Sequence, residues 1–227
     1  MKRHLLSYAA AAGFAFAASP AFATTVTHSV LLSGFTYGPA NVVTVQSAAP
    51  GTVISPFNVY AGQYSGTLDG NSFFTYCAEL TQSLSFNHLY TDYTIVSGIT
   101  AFGADKSAVF DHVVSAILDQ NINSNPDGSG FAQASIWEVL YETASTYAFS
   151  SGSFNVSNSN NIQIASGSTD WLGANAWPVH YHVDLLHSQT SQDLVLITRV
   201  SVPEPAPVAL MLVGLVGLVV RRRSQRR

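Results

Sequence analysis

The chemistry in this chain starts from a cysteine with no partner. Cys77 is the single cysteine among 227 residues, and it lies in Phe73-Phe74-Thr75-Tyr76-Cys77-Ala78-Glu79-Leu80. One cysteine excludes an intramolecular disulfide. Three fates stay open for the thiol: packing as a small hydrophobe, an intermolecular disulfide, or nucleophilic use that ends in another covalent bond. Gln133 is the candidate partner. In Phe131-Ala132-Gln133-Ala134-Ser135-Ile136-Trp137-Glu138-Val139-Leu140-Tyr141-Glu142 it lies one turn before Ile136 and Trp137, with Leu140 a turn further on. Residues three and four apart share a helix face, so this carboxamide belongs to an apolar stripe, on what reads as the first turn of its helix. A buried amide left without hydrogen bonds costs about 1–3 kcal/mol.

Other groups point to other chemistries. His180 and His182 alternate onto one face of a strand, with Asp184 and His187 close by. A metal needs three or four converging donors, usually held by further partners, and no distinctive ligand spacing accompanies these histidines, so no metal site is assigned. His88 and His112 are candidate bases for a Cys77 hydrolase, but no oxyanion-binding signature goes with them. Glu138 and Glu142 stand one turn apart, a spacing that could serve acid–base work on glycosides; the plainer expectation is a solvated helix face. No cofactor motif is present.

These side chains need elements to hold them. His28–Leu32 and Asn41–Gln46 read as strands, the second rich in β-branched residues. Thr52–Ile54 reads as another. Gly62, Gly66 and Asp69-Gly70 punctuate a stretch that reads as loop. Asn71–Leu80 reads as the strand that carries Cys77, and Tyr90–Val96 as the next. The period then becomes helical: Val109, Phe110, Val113, Val114, Ile117 and Leu118 mark a first helix with Asp105 or Ser107 placed to cap it. Asn121–Ser129 reads as a loop, and a second helix spans about Gly130–Thr143. Ser145–Ser168 reads as an exposed excursion with room for one short strand, and Trp177–Asp184 and Leu194–Val200 as closing strands. The fold class expected is α+β: a β-rich, sandwich- or barrel-like scaffold with a two-helix insertion, the Cys77 strand facing the Gln133 helix.

Both ends of the chain read as addresses. Residues 1–23 have a basic start at Lys2 and Arg3, an apolar run from Leu5 to Ala18 and a small-x-small site at Ala21-Phe22-Ala23, the layout of a signal peptide. Residues 202–227 open on Val202-Pro203-Glu204-Pro205, continue as an uncharged run over 206–220 and end in Arg221, Arg222, Arg223, Arg226 and Arg227. An apolar run closed by arginines reads as a membrane segment with its basic end in the cytoplasm. Fifteen residues make roughly 22 Å of helix against a hydrocarbon core of about 30 Å, short for a permanent anchor. Between the two lies an ectodomain, residues 24–201. It carries twelve acidic residues against Lys106 and Arg199, a net charge of −10. That surface repels phosphate backbones and excludes nucleic acid as a partner.

Two resemblances follow from these residues. The tail, with Pro203, Glu204 and Pro205 ahead of a short apolar run and an arginine cluster, resembles the PEP-CTERM sorting signal of Gram-negative, exopolysaccharide-producing bacteria. The resemblance implies recognition by an exosortase, transient anchoring through 206–220, and delivery to the cell surface or extracellular matrix. The ectodomain, with Tyr76-Cys77-Ala78-Glu79-Leu80 followed by two helices and Ala132-Gln133-Ala134-Ser135-Ile136-Trp137, looks like the thioester-type domain of PEP-CTERM proteins. It is similar, more distantly, to the thioester domains of Gram-positive surface adhesins. What that implies is Cys77 as the thiol and Gln133 as the acyl donor of an internal thioester, with Tyr76, Phe131 and Trp137 in an apolar shell around it. The adhesin pattern places threonine where this chain has Ala132. The function so implied is that of a non-enzymatic surface or matrix protein, able to attach covalently to a polysaccharide or protein nucleophile. A structural or carbohydrate-binding component of the exopolysaccharide layer and a secreted hydrolase stand as the other classes.

Overall fold

A computed structural model of the chain describes residues 26–38, 41–48, 56–143, 147, 149, 152–158 and 177–201. The signal peptide, the expected strand Thr52–Ile54, most of the excursion 145–168 and the sorting residues Pro203, Glu204 and Pro205 lie outside the described residues. Among the described residues no helix is long and apolar enough to cross a membrane.

In chain order the elements are β1 His28–Phe35, β2 Asn41–Ser47, β3 Phe57–Ala61, β4 Tyr64–Leu68, β5 Asn71–Thr75, β6 Leu89–Val96, α1 Gly98–Phe102, α2 Ala104–Asp119, α3 Pro126–Tyr141, β7 Asn155–Asn158, β8 Tyr181–His187 and β9 Leu194–Arg199. Six strands form one antiparallel sheet in the order β5-β4-β1-β6-β8-β9, and β3-β2-β7 form a second. The α+β, β-rich and barrel-like architecture is what the sequence leads one to expect.

The large sheet curls until its two ends meet. Past β5 the chain continues alongside β9, where Cys77 bridges Leu194. Ala78 N–H donates to Asp193 O at 2.8 Å and Val195 N–H to Tyr76 O at 2.9 Å. These two bonds flank the Cys77–Leu194 pair, so the N–H and C=O of Cys77 itself point away from β9. The strand carrying the thiol therefore closes the barrel on one side and leaves Cys77's own backbone groups on the other.

The stretch read as loop, Gly62 to Gly70, is mostly β4. Its glycines mislead because they serve the sheet. A Cβ on Gly66 would sit 2.1 Å from Leu31 O and 2.9 Å from Leu32 Cα, so only glycine lets β4 pass β1 this closely. Asp69 and Gly70 both have positive φ, 50° and 80°, and join Leu68 to its partner Asn71. That is the two-residue turn whose twist matches an antiparallel hairpin.

The insertion holds three helices, not two. Ser97 caps the short α1 by accepting from Thr100 N–H. The cap of α2 is Gly103, at φ 83°, and no side chain bonds there; Asp105 lies in the first turn and Ser107 is buried inside the helix. Both capping expectations for α2 are thus corrected. Helix α3 starts four residues before Gly130, because Asn125 caps it by accepting from Gly128 N–H at 2.9 Å and Pro126 occupies the first turn. Gln133 is consequently a mid-helix residue, not a first-turn one. α2 packs on β8 and α3 lies against β2 and β3.

Gly66→Ala should lower the unfolding free energy by about 1–3 kcal/mol, the usual cost of forcing extra volume into a packed contact. A denaturant midpoint unchanged from the parent protein would show that β1 and β4 are not held at this spacing.

Candidate functional site

Cys77 and Gln133 meet in the core. The Gln133 side chain is fully buried and Cys77 is 2 % exposed. Gln133 Oε1 accepts from Cys77 N–H at 2.8 Å, and Gln133 Nε2 donates to Cys77 O at 2.8 Å. The carboxamide thus presents one acceptor and one donor to one residue's backbone, as a neighbouring strand would. It occupies the side of Cys77 that β9 leaves open, and a helix side chain completes the strand's hydrogen bonding. The glutamine on an apolar stripe has its partners.

The thiol turns elsewhere. Cys77 Sγ donates to Glu79 O at 2.8 Å. Burial pushes the thiol up to about 12, against smaller lowering from that bond and from the Trp137 indole, with the charges of Glu79 and Asp193 pushing the same way as burial. Such a thiol keeps its proton at neutral pH. The described histidines are engaged elsewhere: His88 stacks edge-on against Tyr90 and His112 Nδ1 meets Trp177 O.

Trp137, one turn beyond Gln133 on α3, is 1 % exposed. Its N–H lies near enough to the sulfur to pull the thiol pKa down, yet meets no acceptor in hydrogen-bond geometry. Tyr76, preceding the cysteine, is buried, and its hydroxyl accepts from Gln63 Nε2 at 3.2 Å. Phe131 turns toward Phe149, ring centres 5.7 Å apart. A pocket of about 250 Å³ reaches Cys77 and Trp137 from outside. Its lining includes the aromatic Phe35, Tyr60, Tyr64 and Phe86 and the polar Glu79, Gln82 and Gln192. Nothing in the spacing of the sequence singled out Tyr60, Tyr64 or Phe86; they come from β3, β4 and a loop and converge only in three dimensions.

The remaining candidates have structural partners. Glu138 and Glu142 are fully buried, so the solvated face expected for them is wrong. Glu142 Oε1 accepts from Thr143 N–H at 2.7 Å and Oε2 from Ser153 N–H at 2.9 Å, which ties the end of α3 to the approach to β7. A carboxylate is hidden here because backbone donors surround it. His180, just before β8, and His182 on β8 pair through Nδ1 with Asp119 and Asp111 of α2, at 2.7 and 2.6 Å, and His187 pairs with Asp193 at 2.9 Å. A carboxylate can only accept, so each Nδ1 carries the proton. Among the described residues no three histidine, cysteine or acidic side chains converge as a metal site would require.

Compared with known proteins, the chain matches no protein-family model, no curated protein and no solved structure.

The paired hydrogen bonds make Gln133→Glu an informative variant. A protonated glutamic acid can accept from Cys77 N–H and donate to Cys77 O; the ionised form cannot donate and is desolvated. Burial raises the folded-state pKa above the unfolded value of about 4.3, so the folded state holds more protons and stability falls as pH rises above it. Relative to the parent protein, Gln133→Glu should lose little stability near pH 4 and become progressively less stable toward pH 8, as read by denaturant unfolding at both. A pH-independent difference would mean that the carboxamide does not bridge the two backbone groups.

Proposed function

We propose that this chain is an exported, exosortase-sorted surface or matrix protein whose Cys77–Gln133 pair forms an internal thioester for a single covalent attachment. The observation that carries the reading is the reciprocal 2.8 Å contact between the buried Gln133 carboxamide and the main chain of Cys77, a residue that lines an open pocket. The export and sorting parts rest on residues 1–23 and on Pro203, Glu204 and Pro205 with the arginine-ended run behind them.

The chemistry balances without a cofactor. Cys77 sulfur adds to Gln133 Cδ, the C–N bond breaks, and the thiol proton leaves with the amide nitrogen as ammonia. The Cys77 N–H that already holds Oε1 stands where the developing oxyanion needs a donor. Removing a thiol whose thiolate is so costly to bury leaves a neutral acyl group in an apolar site. A nucleophile entering through the pocket attacks Cδ, the C–S bond breaks, and the incoming group's proton passes to sulfur. One molecule does this once, so the protein acts as a bond-forming device and not as a turnover enzyme.

A second reading has its own observation. Gln133 uses one donor and one acceptor on Cys77's backbone, which is sufficient reason for a glutamine here in a matrix component without covalent chemistry.

Intact mass separates the two. The purified protein should be lighter by one ammonia than its sequence requires. It should gain one methylamine on incubation with that amine, and Cys77→Ala should show neither change. A full mass, with Cys77 alkylated stoichiometrically after denaturation, would rule the thioester out.

A further inference from the structure

Helix α3 brings two side chains to Cys77 and uses them differently. Gln133 and Trp137 stand four residues apart, one turn along one face of the helix. The Gln133 carboxamide holds the main chain of Cys77. Trp137 comes to the sulfur: the two residues line one pocket, and the indole draws down the pKa of a thiol that burial pushes up. Yet Trp137 Nε1 is buried with no hydrogen-bond partner, where a buried N–H ordinarily has one. The nitrogen is covered by protein, so a ligand in the pocket does not fill that gap. The sulfur beside it is the group that gives the donor a use. A thiol sulfur is a weak acceptor, and the Cys77 thiol already donates its own proton to Glu79 O. A sulfur that carries negative charge accepts about twice as strongly. The indole N–H is therefore idle beside the resting thiol and comes into use when the sulfur becomes anionic.

We infer that Trp137 Nε1 is the donor that stabilises the Cys77 sulfur as it departs from Gln133 Cδ. The step rests on the proposed thioester. An amine nitrogen bonds to Cδ, and the C–S bond breaks with its electron pair left on sulfur. The indole N–H donates to that sulfur, and the proton lost by the amine then passes to it, giving an amide and a free thiol. The contact itself does not need the thioester, because a Cys77 thiolate formed in alkali meets the same N–H. Donation and packing predict different outcomes. A ring that only excludes water and amine does so with or without its nitrogen, whereas a ring that stabilises the sulfur fails when the N–H alone is removed.

Trp137→Phe would open space beside the sulfur, so the test replaces Trp137 by β-(3-benzothienyl)alanine, which keeps the fused rings and puts a sulfur atom where the N–H was. If the parent protein is lighter by one ammonia, the readout is the rate of methylamine uptake followed by intact mass. The replaced protein should take up the amine about tenfold more slowly, the effect of losing one hydrogen bond to a charged group. If the parent mass is full, the thioester reading fails, and the readout becomes alkylation of Cys77 by iodoacetamide in the folded protein at about pH 9, a rate that follows the thiolate. The replaced protein should again be about tenfold slower. An equal or faster rate in whichever assay applies would overturn the inference and leave the indole as packing. The mass of the parent thus decides the thioester, and the ratio of rates decides the donor.

Discussion

The hydrogen bonding of one residue's backbone organises this structure. At Cys77 the strand that closes the barrel has β9 on one side only, and its own N–H and C=O face the core. Those groups cannot be left bare in an apolar interior, and among the described residues no further strand meets them. Gln133 of α3 supplies the missing peptide as a side chain, at 2.8 Å in both directions. Much of the surrounding fold serves that contact. Asn125 and Pro126 start α3 early enough to place Gln133 in mid-helix. The Ser129 hydroxyl accepts from Gln63 N–H at 2.6 Å and anchors the same helix to the β3–β4 turn. The Tyr141 hydroxyl accepts from Leu80 N–H at 2.9 Å, fixing the chain just beyond the cysteine.

The same contact puts the reactive groups together. The thiol of the same residue is buried and keeps its proton, and its sulfur donates to Glu79 O while the carboxamide holds the Cys77 main chain. The buried carboxylate of Glu142, at the far end of α3, also draws on backbone donors: it accepts from the main-chain N–H groups of Thr143 and Ser153. Lys106, whose Nζ donates to Leu140 O at 2.7 Å, has its pKa lowered by burial, with Glu142 acting in the opposite direction.

Much of this was legible in the residues. Period-two and helical patterns located most strands and both long helices, and the lone cysteine and the inward glutamine were singled out by type and position. What stayed hidden was set by tertiary context. Gly66 reads as a loop signal and is a close strand crossing. Asp69-Gly70 reads as loop and is a hairpin turn. Glu138 and Glu142, on α3 and at its C-cap, are fully buried, and periodicity cannot tell a carboxyl met by backbone donors, as Glu142 is, from one met by water. The pocket walls come from β3, β4 and the segment before β6, and no local spacing announces residues that meet only when a sheet curls.

The central claim, that the Gln133 carboxamide becomes the acyl group of a bond to Cys77, is tested most directly by its nitrogen. With glutamine side chains labelled with nitrogen-15, the NMR spectrum of the protein should lack the Gln133 NH2 pair, and Cys77→Ala should show it as an additional, slowly exchanging pair. The same pair present in both proteins, protected from exchange by its bond to the residue 77 carbonyl, would contradict the claim and leave Gln133 as the side chain that completes a strand.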